Sequence, residues 1–315
     1  MSHWEALVDD YLRLRRQLGA TLAWNEHLLV QYAAYLTQSG SPTITVENAI
    51  AWSRSLSNAG LGNPEARAAR RFQVIRGFAT YMHAVDPAHQ IPPRGIFTHR
   101  PLRVTPYIYS DEEIFALLQA AEQLSHGVRS HLYTTLFGLL AATGLRVGEA
   151  LGLDREHVDL STGTLLVSSG KSRNPRLVPM HPTVMEALER YTVWRQGYQF
   201  RPGGDKAAFF INAAEGRLSY DSALKAFWQV NAAAGIKTHR KHPKMHDLRH
   251  TFSVKTLLGW YEQGEDVAAM MPTLSTYLGH SDPANTYWYL SAVPELLAQA
   301  SKRLATSLTD GQERS

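Results

Sequence analysis

Apolar residues recur at helical spacing along almost the whole chain, and the pattern becomes strand-like only once. Over residues 4–85 the spacing is illustrated by Leu7 and Tyr11, because intervals of three and four residues place side chains on one helical face. Residues 164–169 and 176–180 are instead rich in β-branched and apolar side chains separated by a polar turn, which is typical of a β-hairpin. The sequence therefore predicts a mainly α protein whose only sheet is small and antiparallel.

The length and the proline distribution indicate two domains. A chain of 315 residues is too long for one compact helical core. Residues 87–106 are rich in proline and poor in periodic apolar residues, as expected for an exposed interdomain linker. We expect a helical domain over residues 1–87, a linker over 88–107, a mixed and mostly helical domain over 108–305, and a disordered tail over 306–315.

Composition excludes several classes of protein. The chain has no cysteine, which excludes disulfides, thiolate zinc sites and cysteine nucleophiles. No run of 18 apolar residues predicts a membrane span, and the N-terminus does not resemble a signal peptide. The net charge of +4 and the pI of about 9.2 are only weak indications of a polyanionic partner.

The arginines of the first domain are more informative than the net charge. Arg67, Arg70 and Arg71 follow the i, i+3, i+4 spacing of one helical face. This face is a candidate contact for DNA phosphates, although a charged helix face that only meets water has the same pattern.

Capping residues mark several helix boundaries in the second domain. Ser110 and Glu113 have the spacing of a capping box. Gly144 is suited to a left-handed helix end. Asp282 followed by Pro283 is typical of a helix start.

Two segments each contribute one candidate cationic group, and each has a simpler explanation. Arg146 follows the helix that ends at Gly144, and Glu149 lies three residues further on, so the two are also compatible with a purely structural ion pair. Lys171 lies at the tip of the hairpin, where a mobile ammonium group can reach a neighbouring groove and donate a proton. Lys171 and the nearby Arg173 equally suit a solubilising turn.

A third segment contains two histidines and an arginine within five residues. His246 and Arg249 are three residues apart on one helical turn, so both can point at one ligand. His246 and His250 have the i, i+4 spacing of zinc peptidase helices, but Asp247 occupies the position where that motif requires glutamate. We therefore expect no metal site here.

A fourth segment follows His280 and contains Tyr287, Trp288 and Tyr289, whose simplest explanation is core packing. Across the four segments the candidate groups are cationic or proton-donating, without the carboxylate set of a metal-dependent hydrolase or a Walker-type phosphate loop. This composition suits a phosphodiester whose developing negative charge is stabilised by guanidinium groups.

In their order and spacing these segments resemble the motifs of the tyrosine recombinase or phage integrase family. The resemblance is specific over residues 110–291, and residues 271–290 also look like the integrase-type transposases of bacterial transposons. It implies that residues 108–305 form the catalytic domain and that residues 1–87, which resemble the family only in size and helicity, form its DNA core-binding domain. Residues 259–272 appear longer than in common members. By this resemblance the catalytic residues are Arg146, Lys171, His246, Arg249, His280 and Tyr289, with Glu149 in support. Tyr289 follows His280 by nine residues, the family's usual spacing, and Tyr287 remains the alternative nucleophile.

The resemblance also implies a mechanism without a cofactor. Tyr289 would attack the scissile phosphate, the two arginines would bind its nonbridging oxygens, His246 would act as the base, and Lys171 would protonate the leaving 5′-oxygen. The 3′-phosphotyrosine stores the energy of the broken bond, so neither ATP nor metal is required. The implied partners are double-stranded DNA with paired recombination sites, a homotetramer on that DNA, and accessory transposon or phage proteins. The expected location is the bacterial cytoplasm, at the nucleoid.

The C-terminal helix and the function of the whole protein each allow more than one interpretation. A helix over residues 294–305 suits docking on a neighbouring protomer as well as packing on its own domain. The alternatives for the whole protein are a catalytically silent DNA-binding regulator, a DNA-relaxing enzyme like a type IB topoisomerase, and a zinc hydrolase using His246 and His250.

Overall fold

The computed structural model describes residues 2–19, 23–55, 63–97, 105–124, 128–168, 175–197, 207–236, 243–292 and residue 296. The chain divides into two compact units, Met1–Val104 and Thr105–Ser315. Among these described residues no helix is long and apolar enough to cross a membrane.

The first unit is a helical bundle, as predicted. Its helices are α1 (His3–Gln17), α2 (Ala23–Gln38), α3 (Val46–Ser55) and α4 (Pro64–Val85). Capping residues next to the helices fix where α1 and α4 begin. Ser2 and Glu5 form a capping box at the start of α1, and Asn63 caps α4, whose first residue is Pro64. The buried core combines aliphatic side chains with six aromatic ones, Trp4, Tyr11, Tyr32, Trp52, Phe72 and Phe78.

The first half of the expected linker is part of this unit. His89 is buried and accepts a hydrogen bond at Nδ1 from the main-chain nitrogen of Ile44. The main-chain nitrogen of Gln90 donates to the carbonyl of Ile44, and the Phe97 ring packs edge-on against Phe72. Proline content therefore overstated the exposure of residues 88–97, which continue the first unit instead of leaving it.

The second unit is mostly helical and contains the predicted small sheet. Its helices are α5 (Asp111–Glu122), α6 (Val128–Thr143), α7 (Val147–Leu151), α8 (Pro182–Gln196), α9 (Tyr220–Ala233), α10 (Met245–Glu262), α11 (Val267–Leu278) and α12 (Ala284–Ala292). Strands β1 (Val158–Asp159), β2 (Thr164–Val167) and β3 (Arg176–Pro179) form an antiparallel sheet in the order β1-β2-β3. The fold class expected from the sequence is thus confirmed.

Two apolar clusters fix the helices around the candidate site. The larger one joins α5, α6, α8 and α9 to the inner face of the sheet. The smaller one joins α10, α11 and α12 and includes Leu257, Met271, Leu278, Tyr289 and Leu296. Burial of each such side chain contributes about 1.5–3 kcal/mol of transfer free energy, so α12 is held to α10 and α11 mainly by apolar contact.

Residues 259–272, a longer span than in common members of the family that the sequence resembles, form the end of a long helix, a tight turn and the start of the next helix. Helix α10 continues to Glu262, Gly264 adopts a left-handed backbone conformation with φ of 80°, and the side chain of Asp266 caps α11. Leu296 is buried in the smaller apolar cluster of its own unit. The rest of the predicted helix at residues 294–305 and the tail at 306–315 lie outside the described residues.

Candidate active site

The first candidate arginine, Arg146, lies in the short connection between α6 and α7. Gly144 ends α6 with φ of 61°, and a Cβ atom there would lie 2.5 Å from the ring of Phe252, so the turn requires glycine. Arg146 follows as the N-cap residue of α7. Its Nη1 atom donates to Glu149 Oε1 at 2.8 Å, and its Nη2 atom donates to the carbonyl of Gly279 at 2.8 Å.

Glu149 is the buried carboxylate that organises this corner. It accepts hydrogen bonds from the main-chain nitrogen and the guanidinium group of Arg146, and two more from Arg176, at 3.1 and 2.9 Å. Burial by itself raises the pKa of Glu149, but the hydrogen bonds from Arg176 and Arg146 outweigh it and lower the pKa to about 2. Glu149 is therefore ionised and holds two guanidinium groups in fixed positions.

Arg176 is a site residue that the sequence analysis did not identify. It begins β3 opposite the buried Val167, and its Nε atom donates to the carbonyl of Tyr277 at 2.8 Å. Its guanidinium group also fills the space beside Gly279, where a Cβ atom would lie 2.7 Å from Nη1. The sequence did contain a signal for Arg176. This arginine lies on the same face of the strand as the apolar Val178, and an arginine on such a face needs a buried partner.

Arg249 is almost completely buried in α10, with 2% of its surface exposed. Nη1 donates to the carbonyl of Gly144 and Nη2 to the carbonyl of Leu278, both at 2.8 Å. Burial lowers its pKa to about 10, and the positive charge of Arg146 acts in the same direction. Within the described part of the chain it forms no salt bridge; two carbonyl oxygens accept its hydrogen bonds, and the negative charge of Glu149 acts on it without direct contact.

The charges of this corner do not cancel. Among the described residues, Arg146, Arg176 and Arg249 carry three positive charges, and the carboxylate paired with the first two is Glu149, which leaves the described part of this corner with a surplus of two. A phosphodiester carries one negative charge, and attack by a phenolate adds a second. The arrangement thus has the electrostatic form expected for stabilising the transition state of phosphoryl transfer.

The two predicted histidines lie beside these arginines and are neutral near pH 7. Burial lowers the pKa of His246 to about 4, with added effects from Arg249 and Arg146. The same causes lower the pKa of His280 to about 4. His280 Nδ1 lies 2.7 Å from the hydroxyl of the fully buried Thr286, which fixes the ring against α12.

The two candidate tyrosines of α12 have opposite environments. Tyr289 is 2% exposed, and its hydroxyl lies 2.8 Å from Nδ1 of His250. Tyr287 is 45% exposed and lies on another face of the helix. The structure brings the Tyr289 hydroxyl against His250 and close to Arg249, whereas Tyr287 is not part of the apolar cluster that holds Tyr289.

His250 is the second site residue that sequence reasoning misjudged, because it was considered only as a zinc ligand. Its ring packs edge-on against His246 with centroids 4.7 Å apart, and its Nδ1 atom faces the Tyr289 hydroxyl. In the described residues the one grouping of metal-type ligands is elsewhere, at Asp154, Glu156 and His157. There Asp154 is already bound by Arg217, and Nδ1 of His157 accepts from the backbone.

The remaining predicted residues are in two other places. Lys171 and Arg173 lie outside the described residues, although both strands that flank them are described. Arg67, Arg70 and Arg71 lie on α4 of the first unit, where Arg71 Nη1 donates to the carbonyl of Ser53 at 3.4 Å. Arg70 also lines a cavity of about 830 Å³ together with Arg76 and Arg94.

Comparison with known proteins decides the classification. The Phage integrase family matches residues 108–295, a span that contains every candidate catalytic residue. The chain belongs to the phage integrase family. The described candidate catalytic residues, Arg146, His246, Arg249, His280 and Tyr289, all lie in the second unit of this recombinase.

Relatives of this recombinase cover nearly its whole length. A putative integrase/recombinase of Sinorhizobium fredii, y4rB, is 37% identical over 311 residues, which cover 96% of this chain and 98% of the relative. Tyrosine recombinase XerD of Mycobacterium tuberculosis is 30% identical over 291 residues, which cover 89% of this chain and 90% of that protein.

Solved structures of recombinases share the fold. The Tn1549 transposon integrase in complex with transposon right end DNA matches with a TM-score of 0.65 and 16% identity, over 95% of this chain and 99% of that one. A lambda integrase dimer bound to a core site matches with a TM-score of 0.55 and 18% identity, over 89% and 95% of the two chains. At these identities the likeness supports the fold of the recombinase.

Proposed function

We propose that this recombinase cuts and rejoins DNA at specific sites through a 3′-phosphotyrosine formed by Tyr289. The observation that carries the proposal is the position of the Tyr289 hydroxyl, which is buried beside a histidine within a cluster that has two uncompensated positive charges. A phenol titrates near pH 10 when unperturbed, so a nucleophilic tyrosine needs an acceptor for its proton and positive charge for its anion.

The two arginines have complementary roles in this proposal. Arg146 has 37% of its side chain exposed and can contact a phosphate oxygen directly. Arg249 uses two of its five N–H groups on the carbonyls of Gly144 and Leu278, and it offers the others to the same phosphate. Because both groups are held before substrate binds, they stabilise the developing charge without reorganisation.

The histidines and the lysine move or donate protons. His246 and His280 are neutral near pH 7, so each can donate one N–H to a nonbridging oxygen or accept a proton, but not both at the same nitrogen. Lys171 is proposed to protonate the departing 5′-oxygen, because a flexible ammonium group on a hairpin tip can reach it. A 5′-hydroxyl from another strand then reverses the reaction and reseals the DNA, with no need for ATP or metal.

The partners follow from the chemistry of recombination. Exchange between two duplexes requires four strand cuts, and we propose that four copies of the chain assemble on paired sites, with accessory transposon or phage proteins where the element encodes them. Arg67, Arg70 and Arg71 are proposed to contact DNA phosphates, which makes binding weaken steeply as salt rises. Because its substrate is cellular or element DNA, the enzyme is proposed to work at the bacterial nucleoid.

The proposal is tested by trapping the covalent complex. End-labelled duplexes that cover the DNA flanking the gene are incubated with the protein in EDTA, and complexes that survive SDS are separated on a gel. We expect a protease-sensitive adduct with the parent and with Tyr287→Phe, and none with Tyr289→Phe. Loss of the adduct with Tyr287→Phe alone would overturn the choice of nucleophile. Absence of any adduct despite salt-sensitive binding would favour the silent regulator instead.

A further inference from the structure

His250 has no role in the proposed mechanism above, and its spacing from His246 does not make a zinc site. It follows Arg249 directly and lies one helical turn after His246 on α10. Its ring contacts Tyr289 with centroids 5.5 Å apart and Trp288 with centroids 6.0 Å apart. Of the described histidines, His250 is the one whose hydrogen bond to the Tyr289 hydroxyl is observed, at 2.8 Å through Nδ1.

We propose that His250 is a catalytic residue that accepts the Tyr289 proton at Nδ1 when the phenolic oxygen attacks phosphorus. This inference rests on the proposed function, because it needs Tyr289 as the nucleophile. In the step, the Oη–P bond forms, the bond from phosphorus to the 5′-oxygen breaks, and the phenolic proton moves to Nδ1. The leaving oxygen takes its proton from the acid proposed above, Lys171. In the resealing step each proton returns by the reverse path.

The geometry favours His250 over His246 as this acceptor. A proton acceptor must lie within hydrogen-bond distance of the group it deprotonates, and Nδ1 of His250 meets that requirement before DNA binds. The ring of His246 packs edge-on against the imidazole of His250, and the hydrogen bond to the Tyr289 hydroxyl comes from His250. His246 then remains available for the other role proposed above, donation of a hydrogen bond to a nonbridging phosphate oxygen.

The charge around His250 makes the proton transfer depend on substrate. Burial lowers the pKa of His250 to about 3, and His246 and Arg249 add to this effect, so the ring is a weak base before DNA binds. A bound phosphate brings negative charge to the same arginines and offsets their effect on the imidazole. The ring thus becomes a better proton acceptor when the scissile phosphate is in place, which limits phenolate formation to the DNA complex.

The test separates proton acceptance from packing by changing both partners. His250→Asn places an amide oxygen near the position of Nδ1 and keeps a hydrogen-bond acceptor that cannot take up the proton. A ring-fluorinated tyrosine at position 289 has a more acidic phenol and needs the base less. Single-turnover cleavage of a labelled duplex is measured for the parent and for His250→Asn, each with tyrosine and with fluorotyrosine at position 289.

We expect His250→Asn to cleave about a hundredfold more slowly than the parent, the usual range for loss of a general base. Fluorotyrosine at position 289 should raise the cleavage rate of His250→Asn at least tenfold, and it should change the cleavage rate of the parent much less. Equal effects of fluorination on the two backgrounds, or cleavage by His250→Asn within about threefold of the parent, would overturn the inference.

The controls keep this result distinct from failure of the proposed function or of folding. His131→Asn changes an exposed histidine that stacks on Trp194 near the opposite end of α6, and it should cleave like the parent. If the parent forms no adduct at Tyr289, the proposed function itself is wrong, and that result is distinct from a failure of His250 as the base. Parental affinity for the labelled duplex shows that a variant is folded, and His250→Gln is the second variant for the same comparison.

Discussion

Glu149 binds the guanidinium group of Arg176 through both carboxylate oxygens, at 3.1 and 2.9 Å. This pair connects the first residue of β3 to the short helix α7 that carries Glu149. Because Glu149 also holds Arg146, the position of a proposed phosphate-binding arginine depends on a strand residue 30 positions later in the chain.

Removal of the carboxylate charge should cost both stability and activity. Glu149→Gln leaves Arg146 and Arg176 without their ionic partner, and loss of one partner from a buried pair costs about 3–5 kcal/mol. We expect urea titration to show a loss in this range and single-turnover cleavage to fall at least tenfold. Glu189→Gln, at an exposed position of α8, should change the free energy of unfolding by less than about 0.5 kcal/mol. Equal stability of the two variants would contradict the assigned role of Glu149.

Arg176 should be required for catalysis more than for DNA binding. Lysine cannot bind both oxygens of Glu149 and the Tyr277 carbonyl at once, so Arg176→Lys should destabilise the protein by about 1–3 kcal/mol. Displacement of Arg146 should then slow cleavage about tenfold or more, while affinity for the duplex stays near that of the parent. Arg155→Lys, at an exposed position of the same unit, is the matched control. Parental cleavage by Arg176→Lys would mean that Arg146 does not depend on this contact.

The turn at Gly144 should not tolerate a side chain. Gly144 has φ of 61°, and a Cβ atom would lie 2.5 Å from Phe252, so Gly144→Ala combines backbone strain of about 1–2 kcal/mol with a steric clash. Its carbonyl also accepts from Arg249, and cleavage should decrease with stability. Gly148→Ala is a strict comparison, because it lies within α7 with nothing within 4 Å of the new Cβ atom. Thermal unfolding should show Gly148→Ala at least as stable as the parent and Gly144→Ala clearly less stable.

Acid should destabilise the protein before its carboxylates titrate. Burial lowers the pKa values of His246 and His280 to about 4 and that of His250 to about 3, below the usual 6.5. The unfolded chain therefore binds more protons than the folded chain between about pH 6.5 and 4, and stability present above pH 6.5 is lost across this window. Urea titrations from pH 7 to 4.5 should show this decline. His250→Asn should decline less steeply than the parent, and a parent of constant stability would contradict the burial of these rings.

Local signals in the sequence predicted the secondary structure well, and long-range contacts account for what was missed. The capping box of Ser110 and Glu113 is present at the start of α5, and Gly144 does end α6. The two strands begin where the change of period indicated, at Thr164 and Arg176. These features depend on neighbours within a few residues, so a single sequence contains the information.

The roles of Arg176 and His250 depend on partners that the sequence does not place nearby. Arg176 meets Glu149 across 27 positions, and His250 meets Tyr289 across 39. Neither contact follows from spacing along a helix or strand, because the first joins β3 to α7 and the second joins α10 to α12. The same packing separates Tyr289 from Tyr287, whereas helical periodicity alone left both in consideration. The catalytic and DNA-binding roles assigned to the site residues, Lys171 and Arg173 among them, stay predictions.

Mass-spectrometric mapping of the residue that becomes linked to DNA tests the central claim most directly. The parent is trapped on labelled duplex in EDTA, digested with nuclease and protease, and searched for a tyrosine that retains a nucleotide. The proposed function predicts that this nucleotide is attached to Tyr289 through its 3′-phosphate. Attachment to Tyr287, or through a 5′-phosphate, would contradict the mechanism derived from the position of Tyr289.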